Sequence, residues 1–212
     1  MKLKTIGYAI GVLALALSSQ VMAGGKHHDG NDKAFDVITH QGLTRIGSPE
    51  TYIDGTTSIV RTSEGVSLTA NTRGLNPGYA YTLWLMTFEN PENCAVPCEC
   101  RVPDGANPDV GLGVFWTAGR VADSNGQIVL NSHVNYGEIP QGENQVLLPV
   151  GAEKKAEFKL VVREHGLALT NPDMLDQQLS SHSLTCTGNE CFDALLSTHS
   201  SPFCKVPRSK KH

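Results

Sequence analysis

"GLNPGYAYTLWLMTF", Gly74 to Phe88, decides how this chain folds. It reads either as a loop with its aromatics on show or as a corner feeding a buried strand. Upstream, "VSLTANT" (Val66–Thr72) alternates, with Val66, Leu68 and Ala70 on one face, as a half-buried strand does. Asn76-Pro77-Gly78 then carries turn chemistry. From Tyr79 to Phe88 both faces are apolar or aromatic. Tyr79, Tyr81, Leu83 and Leu85 fall on one side, and Ala80, Trp84, Met86 and Phe88 on the other. Such a run predicts a central strand covered on both faces. The stretch is scaffold.

The spacing Leu75-x-Pro77-x-x-x-Tyr81 resembles the tyrosine corner of fibronectin type III and related sandwiches. That resemblance implies a hydroxyl bonded back to the backbone at a crossing between sheets. Further strands are expected over Phe35–His40, Thr57–Thr62, Val114–Ala118, Gln127–Val134, Ala156–His165 and Cys191–His199. "ADSNGQ" (Ala122–Gln127) is a hairpin-type turn between two of them. In "AEFKLVVREH", Ala156, Phe158, Leu160 and Val162 alternate with Glu157, Lys159 and Arg163, which predicts one wet face. One short helix follows: Asn171 caps it, Pro172 takes the first position, and Met174, Leu175, Gln178 and Leu179 recur at helical spacing. These elements predict an all-β chain: one antiparallel sandwich of seven or eight strands, immunoglobulin- or fibronectin-like, with one short helix.

Residues 1–23 have the layout of a secretory signal: Lys2 and Lys4, an apolar run from Ile6 to Leu17, then Val21-Met22-Ala23. The apolar run is short of the roughly 20 residues that span a bilayer. Export to the periplasm or beyond is the expectation, with no transmembrane segment in the mature chain. Residues 24–34 read as a loose polar segment, 35–204 as one domain, and 205–212 as a basic tail. Removing the two lysines leaves the chain two charges more negative than its formal −4. That balance argues against a general nucleic-acid binder.

Six cysteines form two clusters, Cys94, Cys98 and Cys100, and Cys186, Cys191 and Cys204. In an exported protein they read as disulfides. Three cysteines cannot pair off among themselves, so full oxidation requires at least one bridge between the clusters. Cys98 and Cys100 are too close to bridge in an extended chain. The alternative for "CAVPCEC" is a thiolate metal site, since Cys94 and Cys98 have zinc-like spacing.

Taken together, "GLNPGYAYTLWLMTFENPENC", "VGAEKKAEFKLVVREHG", "LDQQLSSH" and "CFDALLSTH" resemble a family of exported bacterial proteins of unknown function. The shared pieces are a GL-x-PG-x-AYTLW segment, an N-P-x-x-C loop, a VVR-x-HG segment and a C-x-D strand, between about Gly74 and His199. The resemblance implies export, a β-sandwich and cysteine-stapled loops, and supplies no catalytic residues.

Three functional readings follow from the residues. The first is a non-catalytic, disulfide-stapled module that binds an extracytoplasmic protein, glycan or surface through "ENPENCAVPCECRVPDGANPDVG" (Glu89–Gly111), a loop long enough to suggest function. It needs no cofactor. The second is a copper or zinc protein. His165 and His199 fall at expected strand ends, Asp193 shares a face with His199, and His133 could join them. The bland alternative is that these are surface or loop histidines hydrogen-bonded locally. A free Gly25-Lys26-His27 terminus would offer a separate Cu²⁺ chelate. The third is a hydrolase, although the chain has no G-x-S-x-G, H-E-x-x-H or P-loop motif.

Overall fold

In a computed structural model of the chain, residues 37–46, 52–139, 148, 155–180 and 191–204 are described. The signal-like segment, Gly25-Lys26-His27, the basic tail and Cys186 lie outside them. Ala34–His212 forms one compact unit. Its described strands are β1 (Val37–Arg45), β2 (Tyr52–Arg61), β3 (Gly65–Thr72), β4 (Tyr79–Phe88), β5 (Leu112–Val121), β6 (Ile128–Asn135), β7 (Glu157–Leu167) and β8 (Phe192–His199). Among the described residues an α-helix, α1 (Pro172–Ser180), follows β7.

The eight strands hydrogen-bond in the order β5-β4-β7-β8-β1-β2-β3-β6 within a single sheet, and every pairing is antiparallel. The sheet curls until it is nearly a barrel, which corrects the expectation of a clear sandwich. Two four-stranded halves, β5-β4-β7-β8 and β1-β2-β3-β6, are seamed by a short β8–β1 ladder at Thr44↔Leu196 and Arg45↔Leu195. Alternation along a strand reports which side is wet, not whether two sheets share an edge. The turn over Asp123–Gln127 forms, with Asp123 Oδ1 accepting the amides of Asn125 (2.8 Å) and Gln127 (2.9 Å). It joins the two end strands of the sheet, however, rather than two ladder partners. Gly126 takes φ 68° there, and a Cβ would collide with the Leu75 carbonyl.

The two halves bury their faces differently. In β2, β3 and β6 Ile59, Val66, Leu68, Ala70, Ile128, Leu130 and Val134 point into the core. Opposite them, Ser67 meets His133 and Thr69 meets Asn131 on the wet face. In the other half, Tyr81, Leu83, Leu85, Phe115, Phe158, Leu160 and Val162 fill the same core. The outer face there carries a second apolar cluster of Trp84, Met86, Phe88, Val110, Val161 and the Cys94 and Cys100 sulfurs. Strand β4 is therefore buried on both sides, as its sequence predicts.

The wet face expected for β7 is not wet. Glu157 and Lys159 are buried, and they pair with each other at 2.9 Å beneath the 89–111 loop. The Glu157 carboxylate also accepts the Cys100 amide (3.3 Å). A charged residue in an alternating strand reads as exposed only while nothing covers it.

Helix α1 starts where Asn171 Oδ1 accepts the amides of Asp173 (3.0 Å) and Met174 (3.2 Å). It docks on β5, with Trp116 Nε1 donating to the Leu179 carbonyl at 3.0 Å. Gly119 permits that approach, since a Cβ would strike the same carbonyl. The buried Gln178 side chain donates to the carbonyls of His165 and Leu167 and accepts the Leu169 amide.

Candidate functional site

The loop from Glu89 to Gly111 folds into three 3-10 turns, Pro91–Asn93, Val102–Ala106 and Pro108–Val110. Proline opens or nearly opens each turn, where its missing N–H is not needed. Cys94–Cys100 closes the loop on itself, and Cys98–Cys204 ties it to a segment 106 residues away. A closed loop of that size is worth about 4–5 kcal/mol by the chain-entropy argument. The bridge between clusters required by parity is Cys98–Cys204, and the three thiols of "CAVPCEC" are all oxidised. Cys191 is also disulfide-bonded. Asp104 accepts the amides of Arg101 (2.6 Å) and Ala95 (3.1 Å), which hold its carboxyl below the usual range.

Val110 and the two buried sulfurs press this loop onto the outer face of β4 and β7. The cover is incomplete. Between the loop and the β7–β8 ladder lies a groove of ≈220 Å³, floored by Trp84, Met86, Val114 and Val161. Val102 and Leu112 line one side, and Arg163 and Asp193 line the other. Val102 stands 60% exposed at the rim. Arg163 Nε donates to Asp193 Oδ1 at 2.7 Å, and the guanidinium carbon sits 5.3 Å from the centre of the Trp84 ring. A register shift between Val162 and Arg163 brings Arg163 opposite Asp193. The groove thus combines an apolar floor with one internally neutralised ion pair.

The three histidines weighed as metal ligands lie in three separate environments. His199 pairs across the ladder with Phe158, seven residues before His165 on β7. At about 3.4 Å per residue, that is roughly 20 Å or more along the strand. His133 sits on the outer face of the other half, between Ser67 Oγ (2.9 Å) and Asn135 Oδ1 (2.9 Å). Asp193 is committed to Arg163 rather than to His199. The structure does not bring these groups together around one point. Among the described residues no cluster of three His, Cys, Asp or Glu is placed to hold a metal ion.

His165 and His199 do not lie at the surface; both are fully buried and hydrogen-bonded to neighbouring side chains. His165 Nε2 lies 2.8 Å from Thr82 Oγ1, which also accepts the Trp84 indole N–H at 2.9 Å. Its Nδ1 lies 3.3 Å from Cys191 Sγ. A disulfide sulfur has no proton to give, so Nδ1 carries the ring hydrogen and Nε2 accepts from Thr82. His199 is held by Thr39 Oγ1 (2.8 Å) on Nδ1 and Thr57 Oγ1 (2.9 Å) on Nε2. Burial, with Arg163 in one case and Arg61 in the other, pushes both rings down to about 4. Ser197 Oγ is 3.5 Å from His199 Nε2, but both are sealed in the core, where no substrate reaches them.

At the residues read as a corner, the Tyr81 hydroxyl accepts the Asn76 amide (3.1 Å) and donates to Glu164 (2.7 Å). Burial, then the Glu164 contact, raises the phenol well above its usual range. Leu75 and Pro77 flank that amide; Leu75 is buried in the main core and its N–H bonds the Gly126 carbonyl (3.1 Å). A second buried anchor is Arg61. Its guanidinium donates to the carbonyls of Ala156, His199 and Ser200 and stacks on Phe158 at 4.2 Å.

The sequence reading missed Arg61 and the Trp84–Arg163–Asp193 wall. "IVRT" gives no sign that its arginine turns inward. Arg163 and Asp193 could have been paired by charge, had the β7–β8 register been known. No helix among the described residues is long and apolar enough to cross a membrane. Against protein families, curated proteins and solved structures, nothing matches this chain.

Proposed function

We propose that this is an exported, non-catalytic binding module, and that its ligand surface is the groove between the stapled 89–111 loop and the β7–β8 ladder. The observation that carries this reading is the groove itself. The loop seals Phe88 beneath it yet leaves Trp84, Met86 and Val161 at the floor of an opening. Two disulfides fix that loop, so the rim is held in shape before a ligand arrives, and binding need not pay for ordering it. Apolar floors with a few placed polar groups are the usual composition of ligand sites. Signal-like residues 1–23 and oxidised cysteines support export.

The test compares wild type with Val102→Lys, an exposed change that puts a long charged chain on the rim. Thermal shift is measured against peptides, oligosaccharides and small aromatic compounds. A ligand of the groove raises Tm in the wild type and not in the variant. If every ligand found acts equally on both proteins, the groove is not the site.

A further inference from the structure

The size and charge of the groove narrow what enters it. This step rests on the reading of the groove as the ligand surface. At ≈220 Å³ it lies below the roughly 300–1,000 Å³ of sites that enclose whole small molecules. It has room for one side chain presented from outside. Its floor offers the Trp84 indole, and its wall offers a guanidinium already stacked on that indole. A flat ring adds favourably to such a pair, by edge or offset contact with Trp84 and by its face to Arg163. Val102, Met86 and Leu112 supply apolar contact around it.

The surroundings are acidic. The 89–111 loop carries Glu89, Glu92, Glu99, Asp104 and Asp109 against Arg101 alone. Glu92, Glu99 and Asp109 are exposed. Within the groove Arg163 is neutralised by Asp193, and nearby Lys159 by Glu157. Lys155, bonded to Asn90 and acting on Glu89, offsets one loop carboxylate and Arg101 another, so the field reaching an approaching chain is still net acidic.

We infer that the groove takes an aromatic side chain from a basic segment of a partner protein, with Lys or Arg beside the ring facing the loop carboxylates. The ring supplies contact energy, and the flanking cations supply encounter rate and selectivity.

Fluorescence anisotropy with labelled Ac-Lys-Phe-Lys-amide, Ac-Glu-Phe-Glu-amide and Ac-Lys-Ala-Lys-amide tests this. The first peptide should bind at least about tenfold more tightly than either of the others. It should weaken several-fold in 0.5 M NaCl, and also in Glu92→Gln/Glu99→Gln/Asp109→Asn, which leaves the groove intact. Val102→Lys should abolish its binding. Equal affinity for Ac-Glu-Phe-Glu-amide or for Ac-Lys-Ala-Lys-amide overturns the inference. So does failure of all three peptides while a neutral phenyl glycoside binds in a Val102-dependent way, a result that leaves the groove standing as a site. If no probe shows Val102-dependent binding, both the inference and the groove fall together.

Discussion

Acid should unfold this protein through two rings that never touch solvent. His165 and His199 are neutral in the fold because burial pushes each from an ordinary value of 6.5 down to about 4. The unfolded chain binds those two protons at higher pH than the folded one. Stability is therefore complete above pH 6.5 and is lost as the pH falls toward 4. Each ring accounts for about 2–3 kcal/mol of loss by pH 4.5, so the pair removes about 5 kcal/mol. That is a large share of the roughly 5–15 kcal/mol that holds a typical domain together. The perturbation is His199→Gln, whose carboxamide can still meet Thr39 and Thr57 but cannot titrate. Urea unfolding followed by tryptophan fluorescence, at pH 7.0, 5.5 and 4.5, is the assay. At pH 7 the variant should be weaker by about 1–3 kcal/mol, because the buried hydroxyls are less well matched. By pH 4.5 that gap should close or reverse, and the acid slope should fall to about half. Parallel pH curves for the two proteins would refute the reasoning.

Other features give predictions of the same kind. Tyr81→Phe removes the oxygen that accepts the Asn76 amide and the hydrogen given to Glu164; chemical denaturation should show a loss of about 1–3 kcal/mol. Arg61→Met keeps contact with Phe158 but leaves the carbonyls of Ala156, His199 and Ser200 without their shared donor. A loss of about 3 kcal/mol or more is expected, and a change below about 1 kcal/mol would show that Arg61 is not an anchor. Cys98→Ser/Cys204→Ser should lower stability by about 4 kcal/mol while the Cys94–Cys100 bridge survives in peptide mapping. Loss of both bridges together would mean that they form as one unit.

Much of the scaffold was legible in the sequence. The two-faced apolar run Tyr79–Phe88 marked a strand buried on both sides, and the strand is covered on both sides. Asn171-Pro172 marked the start of the helix, and the Asn171 side chain caps it. Parity of the cysteines required a long-range bridge, and Cys98–Cys204 is that bridge. The rest depended on contacts between distant segments. Glu157 and Lys159 looked wet because the loop that buries them begins more than sixty residues earlier. His165 and His199 looked like neighbours because both sit near strand ends, but antiparallel pairing puts them at opposite ends of one ladder. The sandwich became a nearly closed sheet through two residue pairs at Thr44 and Arg45, which no local pattern encodes. The groove needed Trp84, Val102 and Arg163 together, and only the folded loop assembles them.

The two tryptophans permit the most direct test of the groove. Trp84 floors it, and Trp116 lies under α1, bonded to Leu179. Fluorine NMR of protein labelled with 5-fluorotryptophan gives one signal for each, assignable with Trp116→Phe. Trp116 is the register partner of Trp84 across the β4–β5 ladder, so titration with a ligand identified by thermal shift should move the Trp84 signal by more than that of Trp116. Movement of Trp116 alone, or of neither signal at saturating ligand, would contradict the account.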